Sequence, residues 1–303
     1  MKSGFVSFIG RPNAGKSTLL NRLVGTKLAI VSDKPQTTRN RILGVRNYED
    51  AQVVLLDTPG IHRPLHRMNV RMVDAAVDTI GEVDVLALVV DATEAGGKGD
   101  DYVLELAKRS RAAVFLVLNK IDLMRRPRLL PIIDRYRTRA DFAEIVPVSA
   151  ATGENVDRLE RAIIDHLPEG EALYPPDYLT DQPERFFAGE IVREKLLQMT
   201  RAEIPFSSAV VIDRFEEDAK NGSERDREGR ARGLLRLYCT IVVDRESHKP
   251  IVVGRGGEMI KRIGSAARED LERFFGTRVF LDLHVRVKSE WREDERVLED
   301  LGL

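Results

Sequence analysis

Eight residues near the start of this chain, Gly10-Arg11-Pro12-Asn13-Ala14-Gly15-Lys16-Ser17, leave few folds open. They fit the pattern GxxxxGK[ST], directly after the apolar run FVSFIG (5–10) and directly before the helical pattern KSTLLNRLVG (16–25). Glycines let backbone N–H groups turn inward around phosphate oxygens, and the following helix presents its positive end to them. The pattern predicts Lys16 bridging β and γ phosphates and the Ser17 hydroxyl on Mg²⁺, with Thr18 next to it.

The runs QVVLLD (52–57), VDVLALVVDA (83–92), AAVFLVLNK (112–120) and EIVPVSA (144–150) read as further strands. Amphipathic stretches at 101–110 and 156–167 lie between or after them. Apolar strands alternating with helices predict an α/β domain with a mostly parallel sheet, spanning 1–167. The segment PEGEALYPPDYLTDQP (168–183) carries four prolines and little periodicity, and reads as a linker. Residues 184–303 then change character to a smaller α+β pattern: a helix at 184–199, strands near 207–214 and 234–244, a helix at 258–274 and a strand at 278–287. The stretch 216–233 is charged and nearly free of apolar residues, as expected of a solvated hairpin extension.

Two more motifs extend the phosphate cradle into a nucleotide site. Asp57-Thr58-Pro59-Gly60 closes one strand, where Asp57 is placed to hold magnesium through water and Gly60 lets its N–H approach a γ-phosphate. Asn119-Lys120-Ile121-Asp122 closes another. Guanine presents N1–H and a 2-amino group, two parallel donors that the Asp122 carboxylate can accept together. Adenine presents neither and would leave that carboxylate, expected to be buried, unpaired. Asn119 is expected to tie the base edge to the cradle, the Lys120 stem to stack on the ring, and Ser149-Ala150 to bring an N–H to guanine O6. These strand ends converge on one crevice, which selects GTP and GDP over adenine nucleotides.

In the second half, Gly254-Arg255-Gly256-Gly257 fits GxxG, read here as lying between a strand and a helix, the loop with which a KH fold clamps a single-stranded backbone. Between Lys249 and Lys288 nine Lys/Arg face five acids, although the whole chain carries 48 basic and 49 acidic residues. A neutral chain with a locally basic segment suits phosphate contact there, with Lys261 and Arg262 just beyond the loop. Ile251, Val252, Val253, Met259, Ile260 and Ile263 divide between core and a groove for unstacked bases. The single cysteine, Cys239, lies in an apolar run and reads as strand core, and a lone cysteine fits a reducing cytoplasm. No run approaches the length of a membrane span, and peripheral membrane contact stays open.

GRPNAGKSTLLNRL, QTTRNR (36–41), DTPG, NKID and VSA together resemble the Era-type GTPases, within the translation-factor-related class. VVGRGGEMIKRIG (252–264) resembles a KH module, and VKSEWREDERVLEDLGL (287–303) is similar to the closing segment of that family. The resemblance covers nearly the whole chain and implies a P-loop GTPase domain followed by a KH domain of type II. It implies Mg²⁺-dependent GTP hydrolysis, binding to the 3′ end of 16S ribosomal RNA, and a role in maturing the small ribosomal subunit. A monomer acting mainly in the cytoplasm is expected. It assigns Thr38, with Thr37 beside it, to magnesium and γ-phosphate sensing. Where many GTPases carry a water-positioning glutamine after DxxG, this chain has Ile61. Asn13 stands out instead, since its amide oxygen is suited to a K⁺ ion near the phosphates, as in family members with Asn here. Arg11 reads as a solvated charge. The 216–233 stretch departs from the family by its length and charge.

Overall fold

The computed structural model describes residues 1–62, 66–218 and 233–303, which form two compact units, Met1–Gln182 and Pro183–Leu303. The first runs β1 (Lys2–Ile9), α1 (Lys16–Val24), β2 (Ile42–Asn47), β3 (Ala51–Asp57), α2 (Arg67–Asp78), β4 (Val85–Asp91), α3 (Lys98–Ala107), β5 (Ala113–Asn119), α4 (Leu129–Arg137), β6 (Glu144–Pro147) and α5 (Val156–His166). Its sheet has the order β2-β3-β1-β4-β5-β6, parallel except for the β2–β3 pair. The order reverses at β1, so the crevice for a ligand opens beyond the C-terminal end of that strand, where the cradle begins.

Three elements were not legible as such. The β2 sequence ILGVRN is short and holds a glycine, yet Gly44 is required because a Cβ there would stand 2.8 Å from Leu28 and Val24. In α4, Pro131 looks like a breaker but sits in the first turn, where a proline costs no hydrogen bond. Helix α2 buries Met68, Met72, Val73 and Ala76 at helical spacing.

The expected linker is docked along the first unit. Ser3 N donates to Pro168 O (3.0 Å), Gly170 N to Met1 O (3.0 Å) and Val45 N to Leu179 O (2.8 Å). Buried Gln52 accepts from the N–H groups of Leu173 and Tyr174. Tyr174 and Tyr178 stack 4.7 Å apart and pack on Leu43, Val45, Val54 and Leu56 of β2 and β3. The prolines that suggested a free connector suit an extended strap, whose polar backbone finds partners on a sheet edge.

The second unit runs α6 (Glu184–Met199), α7 (Ile204–Ser207), β7 (Ser208–Asp218), β8 (Leu234–Val243), α8 (Lys249–Val253), α9 (Glu258–Phe275), β9 (Arg278–Val287) and α10 (Glu295–Asp300). β8 is central, antiparallel to β7 and parallel to β9. Its alternate residues Leu235, Leu237, Cys239, Ile241 and Val243 form the core with Val192 and Leu196 of α6 and Ile263, Ala267 and Leu271 of α9. The segment before the glycine loop is a helix and not a strand. Ile251-Val252-Val253 reads as β-branched strand sequence, but Pro250 at the helix start and the Gly254 N–H donating to Pro250 O (2.8 Å) close a turn. Of the charged 216–233 stretch, 219–232 lie outside the described residues.

Burial pushes the Cys239 thiol up to about 12, with Asp213 and Asp282 adding to the shift. Alkylation at pH 8 is therefore expected to proceed only as fast as β8 opens. Labelling by iodoacetamide followed by mass spectrometry checks this; modification of the folded protein at the rate of a free thiol contradicts it.

Candidate nucleotide site and nucleic-acid groove

The cradle is built as the spacing demanded. Gly15 caps α1 with φ +94°, and a Cβ there would run into the Asn119 amide. Gly60 lies so close that its Cβ would stand 2.6 Å from the Pro12 backbone nitrogen, so the DTPG turn and the cradle touch through bare backbone. Buried Lys16 lies across the loop, donating to Gly10 O (3.1 Å) and Arg11 O (3.0 Å). Burial pulls its ammonium down to about 8, opposed by the Asp57 charge; a phosphate at the cradle restores the preference for the charged form. Ala14 is buried behind the loop. Pro12, Asn13, Gly15, Lys16, Ser17, Thr18, Thr38, Gly60 and Lys120 are among the residues lining a cleft of about 330 Å³.

Three oxygens from three segments meet at one point beside Lys16. Ser17 Oγ donates to Asp57 Oδ2 (2.6 Å), and Thr38 Oγ1 lies 2.7 Å from Ser17 Oγ and 3.3 Å from Asp57 Oδ2. Asp57 is fully buried, its carboxyl raised by that burial, and its Oδ1 has no hydrogen-bond partner among the described residues. A buried carboxylate with an orphaned oxygen, flanked by two hydroxyls, is the donor set a small hard cation requires. Thr37 turns the other way, donating to Lys34 O at 2.6 Å. Of the two threonines only Thr38 reaches this cluster.

Other cradle and turn residues are held by contacts within the first unit. Arg11 is not a free solvated charge: its guanidinium lies over Gly99 and 3.6 Å from buried Asp100. Thr58 points inward, donating to Phe8 O of β1 (2.7 Å), and so ties the Asp57–Gly60 turn to that strand. Ile61 is buried in the sheet core and its N–H donates to Gly10 O (3.0 Å). Asn13 adopts φ +63° and its Nδ2 donates to Asp33 O (2.7 Å), joining the cradle to the 25–41 loop and leaving Oδ1 as an acceptor. His62 bridges the same two regions, with Nδ1 2.8 Å from Gly60 O and Nε2 3.1 Å from Gln36 Nε2. Nothing in the sequence pattern singled it out.

In the base region, buried Asn119 donates to Ala14 O (2.8 Å) and accepts from Ala150 N (2.9 Å), so one amide ties cradle, β5 and the 149–154 loop together. Lys120 has φ +66° and pairs with Asp91 at 2.6 Å. Burial opposes ionisation of Asp91, but the bonds from Lys120 and Thr93 outweigh it and hold its carboxyl below the usual range. Asp122 is exposed, contrary to the expected buried carboxylate. The amides expected to face the base are engaged within the loop: Ser149 N donates to Glu154 O and Ala150 N to Asn119 Oδ1.

In the second unit, Gly254 has φ +77°, and a Cβ would stand 2.7 Å from Met259 N. Gly256 and Gly257 have φ +60° and +81° with open space where a Cβ would be, so their backbone is accessible at close range. Arg255, Lys261 and Arg262 are exposed. Adjoining the loop is a groove of about 370 Å³ lined by Ile260, Lys261, Gly264, Ser265 and Arg268 of α9 and Leu281 and Leu283 of β9. Among the apolar residues flagged from sequence, Val252 and Ile263 are core, Met259 packs against the core, and Ile260 lines the groove. Leu281 and Leu283 went unnoticed because only the three-dimensional order makes β9 an edge strand beside α9. An apolar floor with Lys261 and Arg268 at its side fits stacked bases and their phosphates.

A family model described as 50S ribosome-binding GTPase matches residues 5–120, and one described as KH domain matches 226–292. The chain is 50% identical over 301 residues to "GTPase Era" of Syntrophus aciditrophicus (strain SB), covering 99% of this chain and 95% of that protein. It is 48% identical over 301 residues to "GTPase Era" of Geobacter metallireducens, covering 99% and 97%. Two solved structures, each 40% identical with a TM-score of 0.91, cover 100% of this chain and 99% of their own. One is Era in complex with MgGDPNP and nucleotides 1506-1542 of 16S ribosomal RNA, the other a point variant of Aquifex aeolicus Era bound to GDP.AlF4-.

Proposed function

The chain belongs to the Era family of GTPases, and from that premise we propose a GTP-hydrolysing switch whose KH unit holds the 3′ end of 16S ribosomal RNA during small-subunit maturation. The observation that carries this reading is the meeting of Ser17, Thr38 and Asp57 beside Lys16. It joins the phosphate cradle to two loops whose positions then depend on the γ-phosphate. Ser17 and Thr38 would ligate Mg²⁺ directly and Asp57 through water. When bound, that ion neutralises charge on the transferring phosphoryl group. Lys16 contributes a second positive charge there, and the Gly60 N–H faces the γ-phosphate.

Ile61 packs in the core, so the attacking water is oriented by something other than a residue-61 side chain. Asn13 Oδ1, whose Nδ2 is already committed to Asp33 O, is the acceptor we assign to a K⁺ ion beside the phosphates. Hydrolysis is expected to run several-fold faster in potassium than in sodium, and Asn13→Ala to remove the difference. Phosphate release measured in the two salts checks this, and equal rates for the unmodified protein contradict it.

In this reading a single chain acts in the cytoplasm, with any membrane contact peripheral; sedimentation and cell fractionation test both statements. Crosslinking to total cellular RNA with GTP and with GDP, followed by mapping, tests the RNA assignment. Recovery of the 16S 3′ end supports it, whereas crosslinks scattered without preference overturn it.

A further inference from the structure

Arg22 lies in the last turn of α1, the helix that begins at Lys16 and Ser17. Its side chain reaches across to the loop after β6. Nε donates to Ala150 O (3.1 Å) and Nη2 to Ala151 O, and the guanidinium lies against Gly153, where a Cβ would stand 3.1 Å from Nη1. One edge of the guanidinium thus grips two consecutive carbonyls. That geometry suits the rigid fork of arginine, and a lysine ammonium cannot reproduce it in fixed orientation. From the opposite side Asn119 holds the Ala150 N–H.

The peptide plane gives this grip a direction. In a trans peptide the C=O and the following N–H point in opposite directions. Holding the Ala150 carbonyl on Arg22 therefore turns the Ala151 N–H away from α1. Ser149 N, Ala150 N and Thr152 N are engaged inside the loop, by Glu154 O, Asn119 Oδ1 and Ser149 Oγ. The Ala151 N–H has no partner among the described residues. We propose that Arg22 is a specificity-determining positioning residue: it aims the Ala151 amide at O6 of the guanine base, and so links base selection to the helix that carries the phosphate cradle. This rests on the guanine-nucleotide reading above.

The test compares GDP, 6-thio-GDP, IDP and ADP binding by the full chain and its Arg22→Ala and Arg22→Lys variants. Sulfur at position 6 is a weaker acceptor but leaves N1–H and the 2-amino group intact, whereas hypoxanthine lacks only the 2-amino group read by Asp122. Both variants are expected to bind GDP about tenfold more weakly, the worth of one hydrogen bond, and 6-thio-GDP nearly as before. The GDP/IDP ratio should stay at its original value. An equal loss for GDP, 6-thio-GDP and IDP would make Arg22 a purely structural brace and overturn the proposal, as would an unchanged GDP/6-thio-GDP ratio in both variants or Arg22→Lys behaving as the unmodified protein. If the unmodified protein shows no preference for GDP over ADP, the guanine reading itself fails, independently of Arg22.

Discussion

Replacing both Arg255 and Gly256 by aspartate is expected to lower affinity for single-stranded RNA roughly a hundredfold or more, the loss of one or two charge-assisted contacts. Two negative charges would stand where an RNA backbone approaches the loop. Gly256 has φ +60° and no atom within 4 Å of an added Cβ, and aspartate tolerates that backbone region, so the variant should fold. Lys16, Ser17, Thr38 and Asp57 lie in the Met1–Gln182 unit, so GTP hydrolysis without RNA should continue while any stimulation by RNA disappears. Fluorescence anisotropy with a labelled oligonucleotide, alongside phosphate release, reads both. Part of the lost affinity is electrostatic, and binding by the unmodified protein should weaken as salt rises. Normal RNA binding by the folded double variant would reduce the glycine loop to a structural turn.

An effect of comparable size is expected at the base. Asp122→Asn should weaken GTP binding by roughly a thousandfold, somewhat less than the roughly 10⁴-fold by which a site built to bond a polar group rejects an analogue that lacks it. The amide's N–H₂ faces the 2-amino donor of guanine in that variant, whereas the 2-oxo group of xanthine accepts from it. Affinity for xanthosine triphosphate should rise correspondingly. Competition between the two triphosphates for a fluorescent nucleotide measures the reversal. Asp122 is exposed on a short turn, and a gain of XTP binding would show that the loss of GTP binding is not unfolding. Full GTP affinity in the variant would remove Asp122 from the site.

The nucleotide half was legible because its chemistry is local. GxxxxGKS, DTPG and NKID each place backbone and side chain by spacing alone, at strand ends that apolar runs reveal. Thr38 could be assigned only by resemblance, since its role depends on a loop that folds back to Ser17. What stayed hidden depends on contacts between distant segments. Arg22 touches residues 128 and 129 positions away, and a helix arginine carries no sign of that reach. The strap at 168–182 looked like a linker because its partners, Gln52 and the β2 edge, lie far back in the chain. In the second unit the glycine loop was readable, but α8 was mistaken for a strand from its β-branched residues, and the groove wall contributed by β9 follows only from the sheet order.

A nucleotide-dependent grip on RNA is the core of this account, and the affinity for one oligonucleotide in two nucleotide states measures it directly. The oligonucleotide carries the 3′-terminal sequence of 16S ribosomal RNA, and binding is titrated in saturating MgGDPNP and in saturating MgGDP. Coupling between two sites on one protein is commonly worth about five- to 150-fold in affinity and is reciprocal. Binding at least about tenfold tighter in MgGDPNP is predicted, with GDPNP held more tightly by the same factor when RNA is present. Equal RNA affinity in the two states would contradict the account, leaving a GTPase and an RNA-binding unit that share a chain without a switch between them.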